Sequence, residues 1–109
     1  MHELAITESI VRGVVERMGE TTVSSLQLEI GQLSGVVPDS VRFCFDLVTE
    51  GTTMQGARLD IDEPEGRAQC RSCAAEFPAH GLVVQCACGS CDVSVLSGTQ
   101  LRVRSVEVK

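Results

Sequence analysis

Five of the six cysteines fall between positions 70 and 91. Cys70 and Cys73 form a C-x-x-C pair, and Cys86, Cys88 and Cys91 follow inside the stretch QCACGSCD. A two-residue gap lets a tight turn aim both sulfurs at one centre while backbone N–H groups donate to them. Two such turns facing each other build a closed tetrahedral Zn²⁺ site. Four thiolates leave no open coordination position, so the expected role is structural and not water activation. The two stretches hold one sulfur too many. Cys70 and Cys73 form one pair of the expected set, and Cys86, Cys88 and Cys91 offer the second. Turn geometry favours Cys91, because Cys86-Ala87-Cys88 leaves only one residue between its sulfurs. A redox-active pair is the rival chemistry, but the flanks lack the strand-to-helix context that activates one thiolate.

The second stretch with chemical potential is Met1-His2-Glu3. Bacterial removal of an initiator methionine requires a small second residue, so a histidine there keeps Met1 with a free α-amine. That amine, the His2 imidazole and the first backbone nitrogens lie within one short reach, and amides at a helix start have no intrahelical acceptor. An all-nitrogen set favours tetragonal or square-planar Ni²⁺ or Cu²⁺. Glu3 would tune its charge or add an oxygen. Taken alone, the three residues read sooner as a solvated terminal histidine than as a metal site.

The elements that must position these groups follow from periodicity. Residues 3–18 carry Leu4, Val11, Val14, Val15 and Met18 at helical spacing, and Gly19 supplies a stop. In SSLQLEIG, Leu26, Leu28 and Ile30 alternate with Ser25, Gln27 and Glu29, the pattern of a half-buried strand. Pro38 and Asp39 open a second helix whose apolar stripe is Val37, Val41, Cys44, Phe45 and Val48, ending at Gly51. On that stripe Cys44 reads as a small buried hydrophobe. ARLDID is a second alternating strand. Residues 67–92 lose periodicity, and His80 among them reads as a solvated loop histidine.

VSVL and QLRVRSVEV close the chain as strands. The last changes phase at Ser105, where a bulge would restore one buried face. A lone edge strand is marginal, so it is expected to return to the sheet of the first half. That makes the cysteine segment an insertion. The expected fold class is therefore α+β: two helices packed on a three-stranded sheet, with an inserted zinc-ribbon-like module. The expected domains are 1–66 plus 99–109 as one α+β unit and 67–98 as the zinc-binding module before the last strand.

Composition narrows the partners. The chain has 109 residues and a formal charge of −6, with Lys109 as its only lysine. No basic cluster exists to neutralise phosphates, so nucleic acid and anionic membrane are poor partners. No apolar run approaches the roughly 18 residues of a membrane span. The start, MHELAITESIVRG, carries too many charges for a signal peptide. The chain is accordingly read as cytoplasmic, where six cysteines argue for metal ligands over disulfides.

Taken together, MHELAITESIV, LEIGQLSGVVPDSVRFCFDLVTEGTTMQGARLDIDE, CRSC, CGS and GTQLRVRSVEV resemble the HypA family, the hydrogenase nickel-incorporation metallochaperones. The match runs through essentially the whole chain in order. The resemblance implies Ni²⁺ received at the N-terminal MHE, with His2 as the key side chain, and Zn²⁺ kept on two cysteine pairs. It implies work beside a maturation GTPase of the HypB type and delivery of nickel to the large subunit of [NiFe]-hydrogenase, in some organisms also to urease. The expected role is a carrier, not an enzyme, with monomer and homodimer both open as the working form. The family's second pair reads C-P-x-C-G-S. Here Cys88-Gly89-Ser90 fits its end, while Gln85 stands where the first cysteine belongs and Cys86 comes one position late. Family lengths favour Cys86; a cysteine at 91, beyond the pattern, looks like compensation. The alternatives from other classes are a zinc-ribbon adaptor for a protein or nucleic acid, which the acidic balance disfavours, and a thiol oxidoreductase.

Overall fold

A computed structural model describes residues 2–81 and 84–109. Helix α1 spans Glu3–Met18, strand β1 Val23–Ile30, helix α2 Pro38–Thr49 and strand β2 Arg58–Asp62. Three short strands follow, β3 Arg67–Cys70, β4 Glu76–Pro78 and β5 Val93–Ser97, before β6 at Leu101–Val108. The first sheet has the order β2-β1-β6 and the second β4-β3-β5. The last strand thus returns to the first sheet, as the sequence led us to expect. Between β1 and β2, which run parallel, the chain crosses over through α2, the connection that parallel neighbours require. The radius of gyration of 17.0 Å exceeds the roughly 13 Å of a compact chain this long, because the two sheets follow one another along a 54 Å axis.

The core of the first lobe is aliphatic. Val11 and Val14 of α1, Val41 and Phe45 of α2, and Val23, Leu26, Leu28 and Ile30 of β1 pack with Val36 and Met54. Helix α1 closes where Gly19, at φ 61, donates its N–H to the Val15 carbonyl at 3.0 Å. Pro38 at the start of α2 lacks an N–H that would have had no acceptor there. Two residues of the expected stripes face away from the core. Leu4 and Val37, half exposed, sit at the helix starts, where the sheet no longer covers them.

Strand β1 is buried more completely than alternation predicts. It is central, and on its polar face the Glu29 carboxylate is covered by Arg102 at 2.9 Å and Arg104 at 3.6 Å. The bulge expected near Ser105 is present one residue earlier. Gln27 pairs with Ser105 and Leu28 with Val103, leaving Arg104 as the extra residue. It brings Val103 and Val106 onto one face, but that face is not fully buried: Leu101, Val103 and Val108 remain 40, 39 and 46 % exposed.

The segment read as aperiodic contains strands β3 and β4. Each is too short for alternation to show. Among the described residues of this lobe, the buried apolar side chains are only Ala68, Cys70, Ala79 and Cys86, so it has no hydrophobic core of its own.

Three glycines fasten the lobes together. A Cβ on Gly31 would strike the Gly98 carbonyl, and one on Gly98 would meet the Gly66 Cα at 2.6 Å. This close approach lets the loop after β1 bond both connecting segments. Gly31 N–H donates to the Gln100 carbonyl at 2.7 Å, Leu33 N–H to Gly98 at 2.7 Å and Gln32 N–H to Pro64 at 3.0 Å.

Candidate metal centres

The second lobe brings four sulfurs together. Cys70 ends β3, Cys73 lies in the turn after it, and Cys86 and Cys88 come from the turn before β5. Their Sγ atoms all lie within 4.8 Å of one another, with Cys70–Cys88 at 3.7 Å and Cys73–Cys86 at 3.6 Å. A tetrahedron with Zn–S bonds of about 2.3 Å has sulfur–sulfur edges of about 3.8 Å. Two of the six edges match that length and all lie within 4.8 Å, so the cluster is compatible with a tetrahedral zinc.

Local backbone geometry explains this set. Cys70 accepts Ala74 N–H at its carbonyl and donates its own N–H to Ala75, both at 2.9 Å, in a turn that takes Ala74 to φ 67. The turn aims the N–H groups of Cys73 and Ser72 at the Cys70 sulfur. In the second turn Gly89 N–H closes onto the Cys86 carbonyl and Cys86 N–H reaches Ser90, again at 2.9 Å. Here the Cys88 N–H points at the Cys86 sulfur.

The geometry departs from the favoured reading at the fourth position. Cys91 is exposed and outside the group, and Cys86 is buried within it. The expectation of Cys91 rests on the premise that a one-residue gap cannot supply an N–H···S contact. The Cys88 amide supplies it, because the turn over 86–89 folds the backbone back on Cys86. The chain around Cys91 is pinned by other means. Ser90 Oγ lies 3.0 Å from Ser72 Oγ, and Arg71 meets the Asp92 carboxylate at 2.9 Å.

The cluster is electrostatically uneven when it holds no ion. Donation from the Cys73 backbone, opposed by burial and aided by Ser72, Cys88 and Cys73, brings the Cys70 thiol down to about 6. At Cys86 the Cys88 amide also lowers the value, but burial and the thiols of Cys73, Cys88 and Cys70 outweigh it and push it up to about 12. One thiolate is thus ready to capture a cation, while the last proton leaves only when the metal displaces it.

The N-terminal stretch occupies the other lobe. His2 is exposed and caps α1, its carbonyl accepting the Ile6 N–H at 3.1 Å. Met1, expected to contribute its amine, lies outside the described residues. Glu3 is half-buried, and its Oε2 accepts the Val37 N–H at 3.1 Å. That donation is the main reason its carboxyl sits below the usual 4.5. The contact brings the starts of both helices together around a hollow of about 520 Å³ lined by His2, Glu3, Leu4, Asp39, Ser40, Phe43 and Cys44. Asp39 is a lining residue that the sequence does not mark as part of a site. Its only sequence signal is its place after Pro38, which says nothing about a neighbouring helix. Cys44 is half-buried on the wall of this hollow, not sealed in the core. His80 is exposed, as expected of a loop histidine.

Residues 1–108 match the family model described as hydrogenase/urease nickel incorporation, metallochaperone, hypA. A hydrogenase maturation factor HypA of Geobacter metallireducens is 46% identical over 110 residues, covering 100% of both chains. One from Nostoc sp. is 43% identical, covering 100% of this chain and 96% of its own. The solution structure of the Ni metallochaperone HypA from Helicobacter pylori superposes with a TM-score of 0.65 at 22% identity, covering 99% of this chain and 97% of that one. At that identity the likeness speaks for the fold alone.

Proposed function

The chain belongs to the HypA family of hydrogenase/urease nickel-incorporation metallochaperones, and from that premise we propose that it carries Ni²⁺ at its N-terminal stretch for delivery to the large subunit of [NiFe]-hydrogenase. The family handles nickel, and the four-cysteine cluster is compatible with zinc. On this reading nickel is cargo and zinc is resident. His2, the Met1 amine and the backbone nitrogens at the start of α1 hold the cargo. Glu3 and Asp39 add negative charge around it. Cys70, Cys73, Cys86 and Cys88 hold zinc and so order residues 67–98 as a module set into the domain formed by 1–66 and 99–109.

The observation that carries the proposal is the position of His2. It is exposed at a helix start, beside a hollow lined by two carboxylates and a thiol. A cargo site must be open enough to release its ion, and a closed four-sulfur site is the opposite. The chain is a carrier with no catalytic role. It acts in the cytoplasm with a HypB-type GTPase, and urease is a second client. No described helix is long and apolar enough to cross a membrane.

Transfer is the test. Untagged, nickel-loaded protein is mixed with nickel-free hydrogenase large subunit, and the metal on each is measured after separation. The proposal expects movement of nickel to the large subunit from the native chain and none from His2→Ala. Equal transfer by both would exclude His2 as the carrier residue.

A further inference from the structure

The second lobe carries five thiols, and Cys91 alone stands outside the four-sulfur cluster. It is exposed, yet it does not hang from a free loop. The residues on either side of it are clasped to the first ligand turn. Ser90 Oγ lies 3.0 Å from Ser72 Oγ, and the Arg71 N–H donates to the Asp92 carbonyl at 2.9 Å. The Asp92 N–H closes back on Ser90 Oγ at 3.1 Å. Cys91 therefore sits where the two ligand turns meet.

Its neighbour along the chain is a ligand. Cys88 and Cys91 form a C-x-x-C pair through Gly89 and Ser90. Cys88 is exposed as well, whereas Cys70 and Cys86 are buried. A disulfide needs its two Cα atoms within about 7 Å, which two intervening residues allow when they turn. Gly89, at φ 94, has open space where a side chain would stand, so this link has room to turn. An accessible thiol next to a resolving cysteine is the arrangement that peroxide converts to a disulfide.

We propose that Cys91 is an oxidation site, at which hydrogen peroxide joins it to Cys88 and so takes one sulfur from the zinc cluster. The deprotonated Cys91 sulfur attacks a peroxide oxygen. An S–O bond forms, the O–O bond breaks, and the departing hydroxide takes up the thiol proton as water. The Cys88 sulfur then leaves the metal and attacks the Cys91 sulfur, forming S–S and releasing the second oxygen as hydroxide. Two electrons pass from the two sulfurs to the peroxide. Three sulfurs remain for an ion that structural sites hold with four. The lobe has no apolar core to replace the lost bond, since its buried apolar groups among the described residues are Ala68, Cys70, Ala79 and Cys86. Oxidation therefore loosens β3 to β5 and spares the first lobe, whose core is separate. The inference rests on Cys70, Cys73, Cys86 and Cys88 as the zinc ligands.

The test exposes the zinc-loaded, untagged chain to hydrogen peroxide and follows zinc release with a metallochromic indicator. Remaining thiols are then blocked and the peptides mapped by mass. The native chain is expected to lose its zinc as a Cys88–Cys91 disulfide forms, and to regain it when dithiothreitol and zinc are added. Cys91→Ser is expected to hold the same zinc before peroxide and to release it severalfold more slowly. Equal release by the two chains would overturn the proposal, as would a disulfide that leaves Cys91 out. A Cys91→Ser chain with no zinc before peroxide would overturn the ligand set, and the proposal with it.

Discussion

The Glu3 carboxylate accepts the Val37 backbone N–H at 3.1 Å, so the first residue of one helix is tied to the residue capping the next. This bond joins the two helix starts beside the hollow that His2, Glu3 and Asp39 line. Its sign with pH is definite. The folded carboxyl lies below 4.5, chiefly through Val37, so the bond is fully present above the unfolded value and is lost as pH falls through the lower, folded one. In NMR titration the Val37 amide shift should move with a midpoint below 4.5, and Glu3→Gln should remove that titration. A midpoint at or above 4.5 would show that the two groups are not bonded in solution.

The cysteine cluster makes a sharper demand. Cys86→Ser should lose zinc and with it the order of β3 to β5, since zinc supplies on the order of 10 kcal/mol in small modules and this lobe buries few apolar groups. Cys91→Ser should keep its zinc. Metal analysis together with amide dispersion in NMR decides the matter, and the reverse pattern would restore Cys91 as the ligand. The first lobe, with its own core, should keep its amide dispersion when a chelator removes the metal.

Protons compete with zinc at the same sulfurs. The Cys86 thiol is pushed up to about 12 in the metal-free cluster, so zinc uptake near neutral pH must release protons, and affinity must fall as pH falls. Competition against a chelator of known protonation should show this slope between pH 6 and 8 (roughly, the range spanned from the lowered Cys70 value upward). Flat affinity there would mean that the thiols are already deprotonated.

At the lobe junction, Gly31→Ala should be costly out of proportion to one methyl group. The added carbon meets the Gly98 backbone carbonyl, which has no side-chain freedom to yield. A loss of about 1–3 kcal/mol or more is expected, read from the denaturant midpoint. Gly13→Ala is the control, because its added carbon meets nothing within 4 Å and alanine is the better helix former.

Much of this arrangement was legible in the residues. Helical spacing gave the bounds of α1, alternation gave β1, and the orphan last strand implied a return to the first sheet. What escaped depended on contacts between distant segments. Strands β3 and β4 are held by partners and not by pattern. Leu4 and Val37 have apolar side chains at helix ends that the sheet does not reach. Asp39 joined the site only because Glu3 ties the two helix starts together. Spacing rules describe the common turn and so favour Cys91 over Cys86, whereas this chain folds a tighter turn around Gly89, at φ 94.

Nickel titration of native, untagged protein beside His2→Ala, with zinc measured in both, bears most directly on the division of labour between two metals. The native chain should bind Ni²⁺ stoichiometrically and hold zinc. The variant should lose the nickel and keep the zinc. If the variant binds nickel as the native chain does, or loses both metals together, the cargo site is not at the N-terminus.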